Sequence, residues 1–137
     1  MHNVNIWEKL INSIINVSVV LIIFLPFYIF LGISILNKKL IFIFLFLLYK
    51  IGIILLNKNR SLGMLVTKTY WKKNYSLYHQ FIHALLYTAS FSTLLFWIIF
   101  PFDLFLVNMF FLQLPMMLKT NMTLHEYLAG KMEAIKN

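Results

Sequence analysis

Four apolar runs separated by polar breaks dominate the chain, at residues 11–36, 40–56, 81–100 and 103–118. A helix needs about 20 apolar residues to cross a bilayer, so the first and third runs are long enough and the second is near the lower limit. The fourth run is shorter, and on its length we favour a full span over a shallow hairpin arm. The pattern predicts an all-α polytopic membrane helix bundle with about four transmembrane helices in one domain, residues 1–137.

The main polar segment, residues 57–80, lies between the second and third predicted spans. It combines five basic residues with tyrosine and tryptophan, which settle at the headgroup level of a membrane. Leu62, Leu65 and Val66 recur at helical spacing and predict a short interfacial helix. The residues that follow, with a turn at Asn74, equally fit a small β-hairpin. The sequence leaves both alternatives open.

The tail, residues 119–137, contains a Thr-x-x-Glu sequence formed by Thr123 and Glu126. Such a pair forms a capping box, in which each side chain accepts a backbone N–H from the other end of the first turn. We expect a capped helix from Thr123 to Ile135 on the cytoplasmic surface. Gly130 then marks a close backbone approach or a local break, because glycine weakens a helix.

Composition supports lipid as the solvent of this chain. Hydrophobic residues make up 61% and charged residues 12%, whereas soluble domains contain about 45–50% and about 25%. A small soluble fold cannot bury so much apolar surface. A free cytoplasmic enzyme is therefore excluded, and the absence of cysteine excludes disulfides and thiolate metal sites.

The charge distribution predicts the orientation. Nine basic residues fall in the N-terminus, the 57–80 segment and the tail, and Lys38 and Lys39 fall on the opposite side. Positive charge collects on the cytoplasmic side, so both termini are predicted to be cytoplasmic. The frequent Ile, Phe, Asn and Lys suggest an AT-rich genome, and we expect the inner membrane of a bacterium. Scattered basic residues among lipid-sized runs do not predict nucleic-acid binding.

Three segments carry a resemblance to a known family. Residues 59–64 read Asn-Arg-Ser-Leu-Gly-Met, residues 124–130 read Leu-His-Glu-Tyr-Leu-Ala-Gly, and Lys9 precedes Asn16 by seven positions. Together they resemble the RDD family of small bacterial membrane proteins, named for one arginine and two aspartates. The resemblance implies the same order of spans, and a transport role has been proposed for that family. The name-giving residues would here be Lys9, Asn16 and Glu126.

Nine motif or polar residues are the candidate functional set: Lys9, Asn16, Lys50, Arg60, Gly63, Asn108, Gln113, His125 and Glu126. Polar groups inside a membrane need internal partners. For Asn16 we favour a hydrogen bond between helices over a substrate contact. For Lys50 we favour an amine that reaches the headgroups, with a buried partner as the alternative. Glu126 is expected to pair with Arg60 or Lys9, and the planar fork of Arg60 suits a carboxylate best.

The remaining polar residues receive structural interpretations. Asp103 is predicted to be the N-cap of the fourth helix. His79 and His83 are four residues apart, which suits one metal ion, but no third ligand is evident and an interfacial polar pair is favoured. No metal or cofactor is expected.

Two functions fit this inventory. No phosphate loop, nucleophile elbow or acid–base carboxylate pair is present, so catalysis is not expected. The first hypothesis is an accessory or scaffold subunit that packs in the bilayer as a homo-oligomer or in a larger complex. The second is a small transporter or ion-translocating protein of RDD type. Convergence of Asn16, Lys50, Asn108 and Gln113 on one hydrated cavity would favour transport, and separate contacts would favour the scaffold.

The four-span topology predicts the accessibility of two loops. Single cysteines placed at Lys38 and Asn74 should react with a membrane-impermeant reagent from opposite sides of the membrane. Labelling of both positions from the same side would contradict four spans.

Overall fold

The structure, a computed structural model, describes residues 1–97 and 100–137, without the side chains of Leu94, Phe105, Met109, Phe110, Gln113 and Leu114. The chain is mostly helical, as the all-α assignment predicts, and it also contains a small sheet that the assignment does not include. The elements in chain order are β1 (His2–Asn3), α1 (Ile6–Phe30), α2 (Ile35–Leu56), α3 (Leu62–Val66), β2 (Thr69–Trp71), α4 (Leu77–Leu95), α5 (Phe102–Thr120), α6 (Leu124–Leu128) and β3 (Ala134–Lys136).

Helices α1 and α2 are long and apolar enough to cross a membrane, by length and composition. Only 17% and 22% of their most apolar stretches are buried inside the protein, whereas the core helix of a soluble protein is mostly buried. Their exposed apolar surface therefore fits contact with lipid. Helices α4 and α5 have 19 residues each and carry more polar side chains.

The break between the first two helices lies at residues 31–34, before the predicted polar break. The Ser34 hydroxyl accepts the backbone N–H of Asn37 at 3.3 Å and caps α2. Because of this cap, Asn37 and Lys38 belong to the first turn of α2 instead of a loop. The Lys38 amine donates to the Tyr28 carbonyl at 2.8 Å, near the end of α1.

An aromatic core holds α1, α2 and α4 together. Phe24 packs against Phe42 with ring centroids 5.4 Å apart, and Phe46 packs against Tyr87 at 5.9 Å. Both pairs are near edge-to-face, the arrangement that the charge distribution of aromatic rings favours. Val20 completes this buried group.

The main polar segment, residues 57–80, which we now call the middle segment, contains both a short helix and a strand, but no hairpin. Strand β3 lies between β1 and β2 and is antiparallel to both. Ile135 is paired with Asn3 on one side and with Tyr70 on the other. The strand partner of the middle segment is therefore the distant tail. The sheet brings the N-terminus, the middle segment and the C-terminus to the same end of the helices.

The predicted tail helix from Thr123 to Ile135 is wrong beyond Leu128. Gly130 has φ of 100° and Lys131 has φ of 56°, a left-handed turn that stops the helix. A Cβ at Gly130 would lie 2.5 Å from Cδ2 of His79, which confirms both the break and the close approach. After the turn the backbone pairs with two strands, so its hydrogen-bonding groups are better satisfied than in a short exposed helix.

The fourth helix begins one residue earlier than predicted. Pro101 occupies the N-cap position without a side-chain cap hydrogen bond, and Asp103 lies in the first turn. The prediction that Asp103 is the N-cap is therefore wrong.

Gly63→Ala should destabilise the protein. A Cβ at Gly63 would lie 2.9 Å from the Cα and carbonyl carbon of Asn12, and these backbone atoms cannot move aside easily. Overpacking of this kind costs about 1–3 kcal/mol. We expect a lower melting temperature in mild detergent. Gly52→Ala is the matched control, because no atom lies within 4 Å of its added Cβ. Equal melting temperatures for the two variants would contradict the close approach of α1 and α3.

Candidate functional site: a buried polar cluster

A cluster of buried polar side chains joins α1, α2, α4 and α6 with the segment around α3. We call it the polar cluster; each member is at most 9% exposed, and its members are Lys9, Asn12, Asn16, Lys50, Ser61, Thr69, His83, Tyr87, His125 and Glu126. Lys9, Asn12 and Asn16 recur at three- and four-residue spacing, so they share one face of α1.

An ion pair connects the first helix with the tail. The Lys9 amine lies 2.6 Å from Oε2 of Glu126 and also donates to the Asn121 carbonyl at 2.7 Å. Both side chains of the ion pair are buried. Burial makes an unpaired charge expensive, so each residue depends on the other.

The predicted capping box fixes the position of Glu126. Its Oε2 accepts the Thr123 backbone N–H at 2.8 Å, and the Thr123 hydroxyl accepts the Glu126 backbone N–H at 3.3 Å. The same carboxylate oxygen therefore caps α6 and binds Lys9. Arg60, the partner that the sequence favoured, instead donates from Nε to the Thr69 carbonyl at 3.0 Å. The guanidinium of Arg60 therefore contacts the strand through Nε and does not pair with the Glu126 carboxylate.

Asn16 attaches the middle segment to the helices with hydrogen bonds from both ends of its amide. Oδ1 accepts from the Tyr49 hydroxyl at 2.8 Å and from the Gly63 backbone N–H at 3.1 Å. Nδ2 donates to the Ser61 hydroxyl at 3.1 Å and to the Tyr87 hydroxyl at 3.4 Å. An asparagine amide makes at most four hydrogen bonds, so this side chain has no capacity left for a substrate.

Asn12 makes a second attachment one turn earlier. Its Oδ1 accepts from the Thr67 hydroxyl at 2.7 Å, and its Nδ2 donates to the Thr69 hydroxyl at 3.3 Å. Gly63 allows this arrangement, because any side chain there would meet the Asn12 backbone. Asn16 therefore makes the hydrogen bonds between helices that we expect for it, to Tyr49 of α2 and Tyr87 of α4, and Asn12 adds bonds to the middle segment.

Lys50 is buried and does not reach the headgroups, so the favoured expectation is wrong. Its amine lies 4.2 Å from the centroid of the Tyr87 ring, over the ring face. The same region contains a cavity of about 50 Å³ lined by Lys50, His83, His125 and other members of the polar cluster. A cavity needs roughly 10–15 Å³ of such space to hold a water molecule, so this one has room for water.

The two imidazoles of the polar cluster lie side by side. The rings of His83 and His125 are 5.1 Å apart, and the Nδ1 atom of each is buried without a hydrogen-bond partner among the described residues. Burial, together with the positive charges of Lys50 and Lys9, lowers the pKa of His125 to about 3. His125 is therefore neutral at physiological pH, and Glu126 is the single carboxylate among two lysines.

Other predicted residues lie apart from the polar cluster. Asn108 is exposed on α5, and the Gln113 side chain lies outside the described residues. Of the four side chains proposed to line a path, Asn16 and Lys50 share the cavity. The His79 ring is bonded to the Ser76 hydroxyl at 2.8 Å, so it has different partners from His83.

Sequence reasoning missed several members of the polar cluster. Ser61 and Thr69 were assigned no role, although Ser61 precedes a short helix as an N-cap would. Tyr87 gave a further signal, because it lies in the middle of an apolar run, whereas membrane tyrosines collect at the interfaces. A phenol at that depth needs a partner for its hydroxyl.

Comparisons of the chain with protein-family models, curated proteins and solved structures find no match. The resemblance to the RDD family therefore remains a prediction from the motif residues. What the chain does must be inferred from the polar cluster and from the surfaces around it.

The ion pair predicts non-additive mutational effects. Lys9→Met and Glu126→Gln should each cost about 3–5 kcal/mol, because each leaves a buried group without its partner. The double variant should lose less than the sum, with a coupling of about 0.5–3 kcal/mol in detergent unfolding.

The pair Lys72 and Glu133, 2.5 Å apart on the exposed surface, is the matched control. Its coupling should be about 0.2–1 kcal/mol. Additive losses at Lys9 and Glu126 would show that the buried pair does not exist. Non-additive losses between Arg60 and Glu126 would restore the partner that the sequence favoured.

Proposed function

We propose that this protein is a non-catalytic integral membrane protein, an accessory or scaffold subunit that packs in the bilayer with a copy of itself or with a larger complex. Four helices cross the inner membrane of a bacterium, and both termini are cytoplasmic. The observation that carries the proposal is that Lys9, Asn12 and Asn16, the polar residues on one face of α1, are bonded to other parts of the protein.

The contacts of the polar cluster support a structural role. Asn16 uses its full hydrogen-bonding capacity, and Lys9 is held by a carboxylate and a carbonyl. The cavity has a volume of only about 50 Å³, and Asn108 lies on an exposed surface away from it. A permeation path needs polar groups at successive depths of the membrane, and these contacts are gathered at the end of the bundle that the sheet covers.

The exposed surface supports association within the bilayer. The end of α1 presents large apolar side chains outward, among them Ile29 and Phe30, and Phe30 is 83% exposed. In lipid, helices associate through van der Waals packing and not through the hydrophobic effect. Rigid aromatic side chains on this face suit packing against another helix.

The sheet supports an even number of spans. It ties both termini to the middle segment, so these three parts lie at one end of the helices. Nine basic residues at that end against two at the other favour the cytoplasm for it. Helices α4 and α5 are each about 28 Å long, close to the roughly 30 Å of hydrocarbon.

The RDD-like motifs support a shared fold. The three segments of the resemblance, far apart in sequence, meet in the polar cluster through Lys9, Gly63 and Glu126. A lysine and a glutamate there can replace an arginine and an aspartate as an ion pair. Asn16 lacks the ionisable group of an aspartate, which favours a structural role over proton transfer.

Ion translocation is the second candidate. Lys50, His83 and His125 border the same cavity, and Nδ1 of each imidazole has no hydrogen-bond partner among the described residues. Ionisable groups inside a membrane often mark ion pathways. A relay through this cavity would use Lys50 as its proton-binding group.

Two measurements separate the candidates. A photo-crosslinking amino acid at Phe30 should give one discrete adduct in native membranes, and the same probe at the buried Phe42 should give none. Protein in liposomes containing a pH-sensitive dye should show no ion or proton flux above that of empty liposomes. A flux that Lys50→Met abolishes, without a discrete adduct at Phe30, would overturn the scaffold proposal in favour of transport.

A further inference from the structure

A second, larger cavity lies outside the polar cluster, between the end of α2 and the start of α4. Its volume is about 450 Å³, and it is bordered by the loop after α2 and by β2 with the residues that follow. We call it the basic pocket, and the lining residues that matter here are Lys58, Asn59, Arg60, Tyr70, Lys73 and Tyr75. Leu56 lies at its rim and is 89% exposed, so apolar surface adjoins the basic groups.

The basic pocket holds positive charge that no carboxylate neutralises. Lys58, Arg60 and Lys73 line it, and no acidic residue does so among the described residues. The whole chain has four acidic residues. Three of these are paired elsewhere, with Lys136, Lys9 and Lys72, and Asp103 belongs to α5. Three cations around one cavity repel each other, and the attraction of a bound anion would offset this repulsion.

Two hydrogen-bond donors at the basic pocket have no partner among the described residues. They are Nδ2 of Asn59 and the hydroxyl of Tyr70, both buried atoms of lining residues. Asn59 as a whole is only 3% exposed. A buried donor without an acceptor costs free energy, so such groups in a folded protein call for an explanation. An anion bound in the basic pocket would supply the missing acceptors.

The walls of the basic pocket are held in place. The Trp71 indole donates to the Asn59 carbonyl at 2.7 Å, which anchors the loop to the strand. The guanidinium carbon of Arg60 lies 5.7 Å from the Tyr70 ring centroid, and the Lys73 amine lies 5.2 Å from that of Tyr75. The cations are therefore positioned before any ligand arrives, which reduces the entropy lost on binding.

Arg60 has donors to spare for a ligand. Its Nε is bonded to the Thr69 carbonyl, while its two terminal nitrogens make no hydrogen bond to the described residues. A guanidinium presents its N–H groups in a planar fork that matches two oxygens of a phosphate. Lysine amines add point charges around the same anion.

We propose that the basic pocket binds a phosphate-bearing anion, with Arg60 as the bidentate donor and Lys58 and Lys73 as flanking charges. This chemistry is shared by the headgroup of an anionic phospholipid and by a small soluble phosphate. The exposed Leu56 at the rim would contact the acyl chains of a lipid. The proposal holds for a scaffold and for a transporter alike, because none of these residues belongs to the polar cluster.

The test uses the full chain in a mild uncharged detergent. Phosphatidylglycerol should raise the melting temperature by several degrees, because a ligand that binds only the folded state stabilises it. Phosphatidylcholine, which has no net charge, should raise it less. A separate titration with inorganic phosphate and glycerol 1-phosphate tests the soluble source. If the melting temperature rises to a plateau with these anions in the absence of lipid, the ligand is a free phosphate. If it rises only with phosphatidylglycerol, the ligand is the lipid headgroup.

Matched variants distinguish a site from general charge attraction. Arg60→Gln with Lys73→Gln should shift the midpoint of the anion titration on the order of tenfold or more. Lys68→Gln with Lys119→Gln removes the same charge from exposed positions outside the basic pocket, and should leave the midpoint unchanged. Lys58→Gln with Lys73→Gln changes exposed side chains and provides the test if Arg60→Gln does not fold. The proposal would be overturned if the control pair shifted the titration midpoint as much as the pocket variants do. It would also be overturned if none of the anions raised the melting temperature.

Discussion

The ion pair between Lys9 and Glu126 is the contact on which the rest of the structure depends. It joins α1 to α6 across 117 positions of sequence, and both of its side chains are buried. A buried charge without its partner is expensive, so α6 is fixed wherever α1 places the lysine. The left-handed turn after α6 ends the helix, and β3 follows it and lies between β1 and β2. The resulting sheet lies at one end of the helices.

The middle segment is held by a different kind of contact. Asn12 and Asn16 form neutral hydrogen bonds with Thr67, with Ser61 and with the backbone N–H of Gly63. Neutral groups lose less solvation free energy than charges when they are buried. The middle segment is therefore held by several hydrogen bonds of modest strength, whereas α6 is held by one strong ion pair. Both contacts are made by Lys9, Asn12 and Asn16, which share one face of α1 and lie near its N-terminal end.

The two cavities beside the middle segment differ in charge and in size. The polar cluster borders a small space whose lysines face a carboxylate, and most of its polar atoms are bonded within the protein. The basic pocket is larger, and its cations face no carboxylate among the described residues. The first arrangement is that of a structural joint, while the second has the charge and the free donors of a binding site.

The sequence by itself determined the features that depend on neighbours along the chain. The apolar runs gave the long helices, and the spacing of Thr123 and Glu126 gave the capping box, because both arise from contacts within a few residues. Only the tertiary structure decided that Glu126 pairs with Lys9 and not with Arg60, since the choice depends on which helix end lies nearest and not on side-chain chemistry. The tertiary structure also decided that Ile135 belongs to a strand. The backbone of a strand forms its hydrogen bonds with residues distant in sequence, and local propensity does not identify those residues.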